Sequence, residues 1–481
     1  QINDATSRRL ELIVNGDLLV DNAGSITVGT GATNSQSSPL GINGATGGFL
    51  NYYENQSHRI QLFGDFTNNG VVRFTNLNYP VYDQLDGNGF ATVYFQGSSD
   101  NTVICNGQTD FYNLVVDKGT DQTFNLRINS SAYGNFRLFG ANTSPGSTTS
   151  PAASTSDPNL RKALWIKNGT LVLEGLLAIP SLTEGNSGGG NGALRSDFVI
   201  PANGALQMNG EGVIVLSTAD DFTEVNAAYG LSGGSNAQYG INTSGGASGL
   251  SVFGKLQIDN GYLSTRESSG ILYWSYASGQ FILNGGTVDA KQFHNPQRGS
   301  NGLLSFSQSG GELILRGRFQ NEINYVNPLD LAGSAINAAR AANGIDANGA
   351  IGTFNMNDNA GSAFIMSGGT ISVHDVCNTS ATASAININC AVSNTNVSGG
   401  TVQVVPTTGT GQADANYFIR STTPLFNFIV NRTGGSSTVQ LTTNNLVLLN
   451  DLILTSGDLV ANNLDVTVGG DFAIEAAASY L

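Results

Sequence analysis

The stretch whose reading decides the fold is PLFNFIVNRTGGSSTVQLTTNNLVLLNDLILTSGDLVANNLDVTVGGDF, residues 424–472. Short apolar bursts (LFNFIV, VQL, LVLL, LIL, LV, LDVTV) alternate with Asn, Gly, Thr and Ser. No burst has the length of a helix, and no 3.6-residue period survives. β-Branched runs bounded by such turn residues read as strands. Three strands with their turns use about 20 residues, a repeat length typical of stacked solenoids. Phe428, Leu448 and Val468 fall on that spacing and are expected to stack.

The same device recurs outward from this stretch. An Asn-Gly or Gly-Gly turn followed by alternating apolar residues appears as NGTLVL (168–173), NGALQM (203–208), NGGTVDA (284–290), GGELIL (310–315), SGGTISV (367–373), SGGTVQV (398–404) and SGDLVA (456–461). Gly and Asn accept the positive φ of tight corners. Side chains two apart on a strand share a face. Leu171 with Leu173, and Ile371 with Val373, are therefore expected inside, and the residues between them in solvent. An Asn-Gly turn also suits a hairpin, so an antiparallel sandwich is the rival fold. The motif recurs in single strands rather than pairs, which favours an all-β, right-handed parallel β-helix, the hand taken from the crossover preference.

Composition agrees. The chain has 481 residues, 62 of them glycine, and 11% are charged, against about 25% in ordinary globular domains. Hydrophobic residues make up 40%, more than a disordered chain carries. Net charge is −15 and no basic run occurs, which argues against nucleic acid and anionic lipid as partners. No apolar stretch reaches the length of a membrane-spanning helix. The reading is one elongated solenoid over 1–481, with insertions at 141–159, 184–192, 229–249 and 324–350. One short helix is expected near 328–343, capped by Asn327 and closed by Gly344. The final DFAIEAAASYL stops as if within a coil, so 1–481 is expected to be a piece of a longer chain.

A longer phrase is more distinctive. FYNLVVDKGTDQTFNLRIN (111–129) aligns with LFNFIVNRTGGSSTVQLTTN (425–444), and FGKLQIDNG (253–261) shares its first half. With Phe95-Gln96-Gly97 upstream of the first copy, and Leu448 to Phe472 after the second, the chain resembles the β-strand-repeat surface proteins of Bacteroidota exported by the type IX secretion system. The resemblance covers roughly residues 93–129 and 424–472. It implies an extracellular, cell-surface protein, adhesin-like or filament-forming, in the group that includes the giant gliding-motility adhesins.

Candidate sites are few. Tyr273, Trp274 and Tyr276 in ILYWSYASG form the best aromatic cluster for stacking on a sugar ring, with a stacked core as the plainer reading. Asp83, Asp86 and Asn88 in DQLDGNG offer oxygens for calcium, the one cofactor considered, or simply stabilise a turn. Asp220, Asp221 and Glu224 form a second acidic cluster; the aspartate pair resembles that of polysaccharide hydrolases, whose other motifs are missing. Cys377 and Cys390 are a candidate disulfide, or buried thiols. His58, His294 and His374 lack the spacing of a transition-metal site and read as surface or corner residues. The functional expectation is a rigid stalk segment that displays loops and contacts neighbouring segments of the same or identical chains. A carbohydrate-binding helix and a polysaccharide lyase or hydrolase are the alternatives.

Overall fold

A computed structural model describes residues 11–28, 58–75, 91–138, 164–179, 198–216, 250–265, 272–275, 279–290, 292–295, 304–317, 353–356, 361–376, 384–406, 416–432 and 438–481. The four insertions and the helix expected near 328–343 lie outside these residues. The described strands fall into two units, one ending with Val213–Leu216 and the other beginning with Leu250–Val252.

In the first unit each strand pairs in parallel with its counterpart one coil on. One sheet runs through Glu11–Val14, His58–Leu62, Ala91–Gly97, Asn113–Lys118 and the start of Leu164–Gly175. A second runs through Leu18–Val20, Phe66–Asn68, Asn101–Cys105, Asn125–Ser130, the rest of Leu164–Gly175 and Gly204–Met208. A third contains Ser25–Thr27, Val71–Arg73, Thr109–Phe111 and Phe136–Leu138. Three parallel sheets traversed in turn make a parallel β-helix. The antiparallel sandwich is excluded for these residues, because the described strands pair in parallel.

Register decides what fills the interior. Phe66, Val103, Ile128, Leu173 and Met208 stand in one column, and Ile60, Val93, Leu114 and Leu164 in another. All are buried. Strands such as His58–Leu62 and Asn101–Cys105 bury alternate residues strictly, as the two-residue period of a pleated strand requires.

The second unit follows the same plan. Leu256, Phe281 and Phe306 are in register, as are Leu263, Val288 and Leu313. A spacing of 25 residues recurs here. One of 20 separates Leu272–Ser275 from Gln292–Asn295 and returns at the last coil, where Leu448 pairs with Val468 as expected. Phe428 does not stack on Leu448; it pairs with Leu452, a repeat of 24. More chain runs from Phe428 to Val439 than from Leu452 to Leu459, their partners on the next coil.

A second correction concerns the outward residues. Leu171, Leu173, Ile371 and Val373 are inside as expected, but Val172 and Ser372 between them are buried too. Outward side chains on a parallel stack are flanked by those of the coils on either side. Ser372 donates to Glu312 Oε1 at 2.9 Å and accepts from Gln403 Nε2 at 2.9 Å.

The Gly-Gly turns form a ladder at one corner. Gly286 and Gly311 have φ of 68° and 66°. A Cβ on Gly311 would lie 2.7 Å from the Gly286 carbonyl oxygen, and one on Gly286 would lie 2.5 Å from that of Gly261. Two separate penalties, a left-handed backbone and a clash with immobile backbone, thus fall on any other residue. Gly311→Ala is expected to lower stability by about 1–3 kcal/mol, read as a reduced urea midpoint; an unchanged midpoint would show that the corner relaxes freely.

Candidate functional site

The buried polar groups of the described residues sit at coil corners and on the outer sides of strands. The repeated phrase supplies the most distinctive of them. Leu114, Val116 and Lys118 alternate inward on the strand Asn113–Lys118, and Gly119, with φ of 64°, turns the chain immediately afterwards. This carries Lys118 into the interior, where it is fully buried. Its Nζ donates to the Gln96 carbonyl at 2.6 Å and to Asn101 Oδ1. Asn101 in turn donates from Nδ2 to Asp65 Oδ1 at 3.3 Å, and the same oxygen accepts the Thr102 amide at 2.9 Å. Burial pulls the Lys118 amine below the usual lysine range, against the opposing charges of Asp100 and Asp65. The neighbouring Asp117 points the other way and holds Lys167 at 3.1 Å and Asn168 at 2.7 Å.

In the second copy of the phrase Arg432 stands where Lys118 stands in the first. It is also buried, and its guanidinium carbon lies 4.1 Å from the centre of the Tyr417 ring. Nη1 donates to the Tyr417 hydroxyl at 2.5 Å, and that hydroxyl donates to the His374 carbonyl at 2.8 Å. Asp375 Oδ1 lies 3.5 Å from the same hydroxyl. An arginine on an aromatic face, with its fork aimed at an oxygen, is a stable way to bury a cation.

Two carboxylates complete the set. Asp110, fully buried on the third sheet of the first unit, accepts from Arg73 Nε at 2.8 Å and from Arg137 Nε and Nη2 at 2.7 and 2.8 Å. The three residues are in register on adjacent strands. Asp289 in the second unit accepts from Arg316 Nε and Nη2 at 2.9 and 2.8 Å. These carboxylates are committed to guanidinium groups on neighbouring coils. Their chemistry is cross-bracing, through charge-assisted hydrogen bonds to the guanidinium forks.

His374 lies just past the strand Ala363–Val373, and its Nδ1 is 3.1 Å from the Pro406 carbonyl. Burial, then the Arg316 charge, lower its pKa; Pro406, Asp289 and Glu312 oppose the shift. A histidine with a depressed folded-state pKa leaves the unfolded chain the better proton acceptor. Its contribution is intact above about pH 6.5 and is lost as pH falls through the window below. The second unit should therefore unfold at lower urea at about pH 5 than at neutral pH. His374→Gln should flatten that dependence, and an unaltered slope would exclude this group as its source.

The expected site residues fare unevenly. Tyr273 and Trp274 lie on the strand Leu272–Ser275, where Trp274 is in register with His294; their side chains, and all of Tyr276, are outside the described residues. Asp83, Asp86, Asn88, Asp220, Asp221, Glu224 and Cys377 are also outside them. Cys390 is buried. His374 is at a corner as expected, but His58, expected at the surface or a corner, is fully buried at the start of its strand. Cys105 is a buried free thiol whose pKa burial pushes up to about 12, so it stays protonated and unreactive.

The corner cations and the Asp110 and Asp289 pairs are not among the residues the sequence singles out. Lys118 and Arg432 were visible in principle, since they occupy the same position of two aligned phrases. Arg73, Asp110 and Arg137 become a set only once the coil register is known. Comparison with protein-family models, curated proteins and solved structures gives no match.

Proposed function

We propose that this chain is a structural segment of an extracellular bacterial adhesin or surface filament, a stiff support from which inserted loops are displayed. The observation that carries the reading is how the buried charges are used. Asp110 with Arg73 and Arg137, and Asp289 with Arg316, tie successive coils to one another. Amide rows such as Asn427–Asn450 and Asn355–Asn387 add hydrogen bonds along the stack, at 2.9 and 2.6 Å. Each coil is thus held to the next by backbone, interior and exterior at once, which resists bending and extension.

Contact with further segments belongs to the same proposal. Phe472–Tyr480 pairs on one side with Leu452–Val460 and exposes Phe472, Ile474 and Tyr480. Partners are then neighbouring segments of the same or identical chains, and surface polysaccharide where loops reach it. The alternatives remain a carbohydrate-binding helix using Tyr273, Trp274 and Tyr276, and, behind it, a polysaccharide-degrading enzyme.

The test is antibody labelling of intact producing cells, paired with a glycan array and a reducing-end assay on acidic polysaccharides. The expected result is surface labelling with no released product. Labelling only after lysis would sink the surface assignment. Saturable glycan binding lost in Trp274→Ala would favour the second reading, and product release the third.

A further inference from the structure

We propose that Lys118 and Asn101 form an intramolecular isopeptide cross-link, with Asp65 moving the proton. The proposal concerns covalent chemistry inside one unit, and it stands whether or not the chain is a surface filament.

Such a bond needs an amine that is not solvated, a carboxamide held against it, and a carboxyl group beside the amide nitrogen to relay the proton. All three are present at one corner. Lys118 is fully buried at the end of its strand, and Asn101 begins a strand of the preceding coil and is itself largely buried. The amine donates to the Asn101 side-chain oxygen, so it lies beside the carbon it would attack. The Gln96 carbonyl, 2.6 Å away, fixes the amine from the other side. Gly97, next to that carbonyl, has φ of 98°, a conformation glycine adopts freely. The Asp65 carboxylate is hydrogen-bonded to Asn101 Nδ2, the atom that must leave. Holding reacting groups in this way converts a slow bimolecular amide exchange into a unimolecular one.

The step balances without a co-reactant. The neutral Lys118 amine attacks Cγ of Asn101, and the carbonyl electron pair moves onto Oδ1. As it returns, the Cγ–Nδ2 bond breaks. The proton released by the amine passes through the Asp65 carboxyl group to Nδ2, which departs as ammonia. One C–N bond forms, one breaks, and nothing is oxidised or reduced. Desolvation lowers the affinity of Lys118 for its proton and so favours the neutral nucleophile.

The second copy of the phrase is an internal contrast. Arg432 holds the same position, but its guanidinium stays charged and faces a tyrosine hydroxyl rather than an amide. The reaction is thereby confined to the first copy.

Trypsin supplies the readout. Arg73, Lys118 and Arg127 are successive cleavage points, so both partners lie within 74–118, and an acylated Lys118 is not cut. The cross-linked protein, digested after unfolding, should give residues 74–127 as one uncut peptide lighter by one ammonia. The peptide mass is used because Gln1 can also lose ammonia when it cyclises. Lys118→Arg and Asn101→Ala should each give full-mass peptides, and freshly folded Asp65→Ala should convert about 100-fold more slowly. The folded wild-type chain yielding 74–118 at full mass after prolonged incubation overturns the proposal. Conversion of Asp65→Ala at the wild-type rate overturns the role given to Asp65.

Discussion

Phe306→Ala is expected to destabilise the second unit by about 3–5 kcal/mol. Phe306 is fully buried, and four other rings surround it: Phe364 and Phe281 stack on it at 5.1 and 5.5 Å, and Phe293 and Phe354 meet it edge-on at 5.5 and 5.6 Å. Two of these partners lie on the coils to either side in the same sheet. Removing the ring opens a cavity whose walls are strands locked in register, so little collapse can refill it. Unfolding in urea, followed by fluorescence, measures the effect. The chain has two tryptophans, Trp165 in the first unit and Trp274 in the second. In a Trp165→Phe background the signal reports the second unit alone. A shift under about 1 kcal/mol would mean that the coils close over the gap.

Asp110→Ala should produce a loss of similar size in the first unit, on the order of 3–5 kcal/mol. The cause is different. Removing the carboxylate leaves Arg73 and Arg137 side by side, with side-chain exposures of only 26% and 14%. Like charges then repel where little water can screen them. The Coulomb gain of the intact set is partly cancelled by desolvation, so the cost of breaking it exceeds what the set contributes net. A control separates the two: replacing Asp110, Arg73 and Arg137 together by apolar residues of similar size should recover much of the loss. If the single variant is as stable as the wild type, the triad does not brace the coils.

The strand character, the parallel stacking and the corner glycines were legible in the sequence because each has a short-range cause. Alternation follows from the pleat, and the Gly-Gly turns at 285–286 and 310–311 follow from positive φ. The repeat length was only partly legible. Leu448 and Val468 were matched because a minimal coil separates them, whereas Phe428 was misassigned because turn length carries no periodic signal. Val172 and Ser372 were misplaced for a related reason: burial of an outward residue depends on the coils above and below it. His58 went astray likewise, since its burial comes from position in the stack and not from its neighbours in the chain. The cross-coil pairs of Asp110 and Asp289 could not be seen before the register, as their partners lie tens of residues away. Lys118 and Arg432 are the exception, since the aligned phrases place a cation at the same position of both copies.

Coil length varies while the strands of adjacent coils stay paired. Ser309 reaches back to Asn284 across 25 residues, yet Leu304 reaches Ser362 across 58, and both contacts join adjacent coils. The architecture counts strands and ignores how much chain runs between them. Since the entropy of closing a loop grows only logarithmically with its length, foreign sequence spliced into such a bend should cost little. New surface chemistry can thus be acquired one excursion at a time, with the load-carrying ladder left untouched.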